Sequence, residues 1–182
     1  RHIMPTLILN SCAWRDKNRL RPENKSDLRV MPSVKLQRTS RFTADQMYSL
    51  VADVSQYSAF LPYCVGSRVL SRVAGEGDEE VMLAELAIRY KVIHERFESR
   101  VVLNSGAQAI VATQTKGPFK RLRNDWRFEA NAAGCDVFFS LDYDFRISLF
   151  GKIVAPLQQR IVEAMIDAFE ARAQNLYGDR SV

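Results

Sequence analysis

From Leu149 to Tyr177, apolar residues recur at helical spacing: Ile153, Leu157, Ile161, Met165, Ala168, Phe169 and Leu176. Gly178 stands where a C-cap glycine belongs. Val154, Val162, Ile166 and Ala173 widen the stripe beyond a narrow seam. It is the only long amphipathic helix pattern in the chain, and a series of one-sided strand patterns precedes it. A single wide greasy helix facing a single large sheet restricts the folds available.

The strand patterns have period two. Val34–Phe42 reads as a first strand, and Thr43 can N-cap a short helix over 44–53, where Met47, Leu50 and Val51 share a face. The connection that follows, 53–64, reads as irregular and is unusually aromatic; Pro62 excludes a regular central strand there. Val65–Val73 leads into the hairpin signal Gly75-Glu76-Gly77-Asp78. Met82, Ala84, Leu86, Ile88 and Tyr90 then share one face, as do Ile93, Phe97, Val101 and Leu103 in the next strand. Strands near 108–115, over 121–129 and over Val137–Ile147 follow. In the second of these Leu122, Asn124, Trp126 and Phe128 point together; in the third Val137, Phe139, Leu141, Tyr143, Phe145 and Ile147 do.

Six or seven antiparallel strands spaced about 4.8 Å apart make a sheet about 30 Å wide, whereas a helix with side chains is about 10–12 Å across. The sheet must therefore curl around the helix. The fold class is α+β, a curved antiparallel sheet of six to seven strands wrapped around a long C-terminal α-helix. Such a grip tends to leave a hollow, here lined by Met82, Leu86, Ile88, Phe97, Trp126, Phe128, Phe139 and Tyr143 from the strands and Leu157, Ile161 and Met165 from the helix. The same residues would serve equally as solid core, and spacing alone does not separate the two.

Charge and cysteine content remove several function classes. The formal net charge of +5 is uneven. Residues 1–30 hold seven Lys/Arg against three Asp/Glu, which leaves 19 against 18 for residues 31–182. A global electrostatic case for nucleic acid fails, and no DNA partner is expected. Residues 1–31 read as a basic tail or extension, with Met31-Pro32 as an alternative start, and 179–182 as a C-terminal tail. Cys12, Cys64 and Cys135 form no C-x-x-C and fit a reducing compartment.

Catalytic motifs are weak. His94-Glu95-Arg96-Phe97-Glu98 has Glu98 where a zincin carries its second histidine, and the segment alternates as a strand, with His94 outward. Gly75-x-Gly77 reads as a turn. Cys64 has no basic neighbour in sequence and reads as a buried or cavity-lining thiol. Glu95, Ser99 and Asn124 fall on inward faces and require hydrogen-bond partners or a ligand's polar group. Lys116, Lys120, Arg121, Arg123 and Arg127 form a basic outer cluster, read as a solvated face, a contact with anionic lipid, or a contact with ribosomal RNA.

Two motifs carry a family resemblance. Val54-x-x-Tyr57-x-x-Phe60-Leu61-Pro62-Tyr63-Cys64 and Gly117-Pro118-Phe119-Lys120-Arg121-Leu122-x-Asn124-x-Trp126-x-Phe128 resemble the coenzyme Q-binding branch of the START-like polyketide cyclase/dehydrase and lipid-transport superfamily. Phe169-Glu170-Ala171-Arg172-Ala173 matches its terminal helix, and the likeness spans about residues 32–178. Tyr63 departs from the Trp common among relatives. The resemblance implies a helix-grip START-like fold holding ubiquinone or a similar polyprenyl lipid in support of cellular respiration, without catalysis and with no cofactor required. The aromatic connection can close one end of the hollow, with Tyr57, Phe60, Leu61, Pro62 and Tyr63 as its lid. The bacterial branch includes proteins described as ribosome-association toxins, which makes the large ribosomal subunit the alternative partner; a cyclase or dehydratase is the third reading. The expected location is cytoplasmic, with peripheral contact at the inner membrane left open.

Overall fold

The computed structural model describes residues 32–178. The expected extension 1–31 and tail 179–182 lie outside the described residues. Seven strands form one antiparallel sheet: β1 (Ser33–Ser40), β2 (Cys64–Ala74), β3 (Glu79–Tyr90), β4 (Ile93–Asn104), β5 (Ala109–Lys116), β6 (Phe119–Asn131) and β7 (Gly134–Phe145). Their order is β1-β7-β6-β5-β4-β3-β2, so β1 and β2, adjacent in sequence, form opposite edges. Between them lie α1 (Ala44–Ala52), a 3₁₀ turn (Val54–Gln56) and the one-turn α2 (Tyr57–Phe60). After β7 come α3 (Ser148–Val154), a 3₁₀ turn (Ala155–Leu157) and α4 (Gln158–Tyr177). This is the helix-grip START-like arrangement.

Strand ends follow the availability of partners. β1 stops at Ser40 because Ser40 pairs with Cys135 at the start of β7. Phe42, expected in the strand, instead turns into the core against Tyr177, with ring centroids 6.1 Å apart. β7 stops at Phe145, opposite Phe119, so Ile147 lies outside the ladder. Register shifts in β2, between β4 and β5, and between β6 and β7 add local bend to the curl.

Thr43 caps α1 as expected. Its Oγ1 accepts from the Gln46 backbone N–H at 3.2 Å, and Gln46 Oε1 accepts from the Thr43 N–H at 2.9 Å, completing a capping box. The segment expected to be irregular, 53–64, contains the two short helical turns.

The C-terminal helix departs from expectation in three places. It is interrupted at 155–157, because Pro156 has no N–H for the helical ladder and its ring crowds the preceding turn. The buried stripe of α4 is Val162, Ile166, Phe169 and Ala173. Steps of four, three, four and four residues carry this stripe on to Tyr177, so Leu176 is left exposed. Gly178 ends the helix with right-handed φ −71°, its N–H donating to Gln174 O, and not as a left-handed cap.

A candidate ligand cavity between sheet and helix

Two aromatic clusters bracket the space between sheet and helix. At one end Trp126 lies 4.5 Å from Phe139 and 5.4 Å from Phe169 by ring centroids. Phe169 is 5.3 Å from both Tyr57 and Phe60. At the other end Phe119 stands 5.6 Å from Phe97 and 4.5 Å from Phe145. Between the two clusters lies a cavity of about 270 Å³. The grip is therefore not solidly filled.

Most side chains expected around the hollow line it: Tyr57, Leu61, Pro62, Tyr63, Leu86, Ile88, Phe97, Asn124, Trp126, Phe139, Tyr143, Ile161 and Met165. Four expected residues do not. Met82 and Phe128 are buried in the core beyond the cavity's end, Phe128 meeting Tyr48 of α1 edge-on at 6.3 Å. Phe60 packs behind Tyr57 and Phe169. Leu157 is turned away by the 3₁₀ step at Pro156. Val154, from the widened apolar stripe, also lines the wall, as does Gln158, which was not foreseen because it stands one residue off that stripe.

The wall is apolar with a few polar groups. Ser99 is buried and its Oγ has no partner; Asn124 Oδ1 is likewise buried and unpartnered. They lie on β4 and β6, two strands apart, with β5 between. Unpaired buried polar atoms cost about 1–3 kcal/mol each unless a ligand or water meets them. Tyr143 Oη is engaged, donating to Gln158 Oε1 at 2.6 Å, and so ties β7 to α4. Tyr57 Oη donates to Val51 O, fixing the lid segment on α1. Burial pushes the Tyr143 phenol and the Cys64 thiol above their usual pKa ranges, so both line the cavity in neutral form. Glu95, expected inward, is half-buried and does not reach the cavity. His94 is exposed on the outer face.

The two motifs earn their shapes locally. Gly117 has φ 141°, and a Cβ there would come 2.4 Å from Phe97 Cβ, so only glycine fits the turn before β6. Gln114 closes the same turn, its Nε2 donating to Phe119 O at 2.8 Å. Tyr63 sits at φ 66°, which is strained for an aromatic residue. Its O accepts from Arg89 N at 2.8 Å, and its ring meets Tyr90 edge-on at 5.0 Å. Tyr63 both lines the cavity and is exposed, which makes it a mouth residue.

The expected basic cluster is largely neutralised. Lys116 pairs with Glu98, Lys120 with Asp144, Arg123 with Asp125 and Arg127 with Glu129. Arg127 also lies over the Phe138 ring. Of this group only Arg121 has no ion-pair partner among the described residues.

Among the described residues no helix is long and apolar enough to cross a membrane. Residues 41–170 match the model of the family described as polyketide cyclase/dehydrase and lipid transport. The chain is similar to the ribosome association toxin RatA of Escherichia coli strain K12, at 33% identity over 152 residues that cover 83% of this chain and 92% of that protein. It is 30% identical over 145 residues to the mitochondrial coenzyme Q-binding protein COQ10 homolog B of Xenopus laevis, covering 78% of this chain and 57% of that one. Its fold matches the solution structure of the 18 kDa protein CC1736 from Caulobacter crescentus with a TM-score of 0.70 and 32% identity, covering 81% and 99% of the two chains.

Proposed function

The chain belongs to the polyketide cyclase/dehydrase and lipid transport family, and on that premise we propose that it is a non-enzymatic carrier of ubiquinone or a similar polyprenyl lipid in support of respiratory electron transport. The observation that carries this reading is the apolar cavity whose few polar groups include two unpartnered atoms, Ser99 Oγ and Asn124 Oδ1. A prenyl quinone has the matching distribution, an apolar chain with polar oxygens confined to one ring: its carbonyls would accept from the Ser99 hydroxyl, and the hydroxyls of its reduced quinol form would donate to Asn124 Oδ1. Burial contributes about 0.8 kcal/mol per CH₂, so each isoprene unit is worth on the order of 3–4 kcal/mol before losses. Affinity needs no catalytic group, no metal and no cofactor, the quinone being cargo. The only histidine among the described residues, His94, lies outside the cavity, which favours binding over a cyclase-type reaction.

Size limits the pose. A cavity of about 150 Å³ accepts benzene, so about 270 Å³ has room for a ring and a short stretch of tail. A longer tail would leave past Tyr63. Organic extraction of the purified protein followed by mass spectrometry should recover a prenyl quinone, and titration of the stripped protein should saturate. Repeated failure of both would overturn the reading.

A second reading is association with the ribosome, favoured by the relatives named ribosome association toxin, which match over 92% of their length. It expects sedimentation with ribosomal subunits and loss of that association in Arg121→Glu/Arg123→Glu/Arg127→Glu. Cosedimentation that survives those changes would remove the outer face of β6 from this reading.

A further inference from the structure

In an antiparallel sheet, alternate strands start and finish at the same end. The starts of β2, β4 and β6 and the finishes of β3, β5 and β7 therefore share one end of this sheet. Large apolar side chains are left exposed there on three separate segments: Tyr63 before β2, Val92 in the β3–β4 turn, and Ile147 and Leu149 after β7, with 41%, 73%, 50% and 57% of their surface accessible. The cavity reaches this end, since Tyr63, Ile93, Phe145 and Val154 line it.

Positive charge is concentrated at the same end. Residues 89–94, 116–121 and 144–152 hold seven Lys/Arg and a single acid, Asp144, although residues 31–182 as a whole hold 19 and 18. The remainder of that region therefore has 12 basic residues against 17 acidic ones. Lys116 and Lys120 are paired, with Glu98 and Asp144. Arg89, Lys91, Arg121, Arg146 and Lys152 have no ion-pair partner among the described residues.

We infer that this end is a docking surface for an anionic phospholipid bilayer, seating the cavity mouth against the headgroups. Aliphatic tips ringed by unpaired cations match a bilayer boundary: Val92, Ile147 and Leu149 enter the acyl edge while the cations meet the phosphates. An RNA surface would use the same cations but would leave three aliphatic side chains in a polar, hydrated contact, with Tyr63 the only one of the four exposed apolar groups able to stack on a base. The inference deepens the carrier reading by giving a long tail a continuous apolar exit, yet charge and exposure carry it without any ligand.

The test is cosedimentation of the full chain with vesicles of phosphatidylcholine alone and of phosphatidylcholine mixed with phosphatidylglycerol. Binding is expected to the mixed vesicles and not to the neutral ones. Each basic residue near an anionic surface is worth about fivefold in partition. Lys91→Asn/Arg121→Gln/Lys152→Gln should therefore weaken binding about 100-fold, and Val92→Asp/Leu149→Asp should abolish it with an unchanged melting curve. Should the aspartate pair fail to fold, Ile147→Ser alone is expected to weaken binding. Residues 1–31 are common to every sample, so differences report on this end. Quinone titration of the same variants separates the two proposals: ligand binding that persists when docking is lost isolates the surface. Wild-type protein that ignores anionic vesicles, variants that partition as wild type, or charge variants that lose ribosome binding while no sample binds vesicles would each overturn the inference.

Discussion

Asn124 and Ser99 present the sharpest contrast between a residue's type and its surroundings. Each is polar, faces a greasy wall and carries an atom with no partner, so a ligand that supplies one gains on both sides. Tyr143 is different, because Gln158 Oε1 already accepts a hydrogen bond from its hydroxyl. Asn124→Leu should therefore lower affinity for the reduced quinol, whose hydroxyl can donate to Oδ1, about tenfold, the order of one net hydrogen bond, and Tyr143→Phe should lower it less; equal affinity for all three proteins by titration would remove the polar contact. Cys64 gives an independent report on occupancy. Burial raises its thiol pKa, with a backbone hydrogen bond at Gly66 acting in the opposite sense. A raised pKa means less thiolate at a given pH, so maleimide should label Cys64 more slowly than a free thiol and faster as pH rises. In a Cys12→Ser background, bound ligand should slow that labelling further, as followed by intact mass. Cys135 should stay inert, being buried with its thiol pushed up to about 11.

At the scale of elements, the motifs state backbone requirements that composition leaves silent. Gly134 opens β7 at φ 140°, and a Cβ there would stand 2.4 Å from Ser40 O, where β1 hands over to α1. Gly134→Ala should cost about 1–3 kcal/mol in urea unfolding, with a native-like spectrum if the strands re-pair. Thr43→Ala, which removes a capping box, should cost about 1 kcal/mol. The β-strands were legible because alternation has a period of two and both faces of the sheet differ sharply in polarity, as in Ile93 to Leu103. Their ends were less legible. Phe42 and Ile147 continue the apolar alternation, but a strand ends where its neighbour's backbone ends, and that neighbour is remote in sequence. The break at Pro156 was readable from the proline itself; the wide apolar pattern on either side of it masked the signal.

For the whole molecule, a ligand that binds only the folded chain must stabilise it. Ubiquinol present at about 100 times its dissociation constant should add about 2.7 kcal/mol, seen as a rise in melting temperature that Asn124→Leu blunts. A short-tailed quinone analogue should suffice for much of this shift, because the cavity ends before a long tail does. The exposed apolar tips at the sheet's open end predict the opposite for solubility: removing Leu149 should reduce self-association without lowering the melting temperature.

Local chemistry written along the chain settled the antiparallel strands, the capped first helix, the long apolar stripe and the family to which they belong. Those features depend on neighbours a few residues apart, which any linear reading can compare. Tertiary structure alone decided that the grip retains a hollow, that Met82 and Phe128 pack beyond it while Gln158 faces into it, and that the cations of β6 are mostly neutralised by carboxylates. It also gathered Val92, Ile147 and Leu149 from distant turns to one end among unpaired cations. Volume and net field are sums over residues brought together by folding, and no window of sequence contains them.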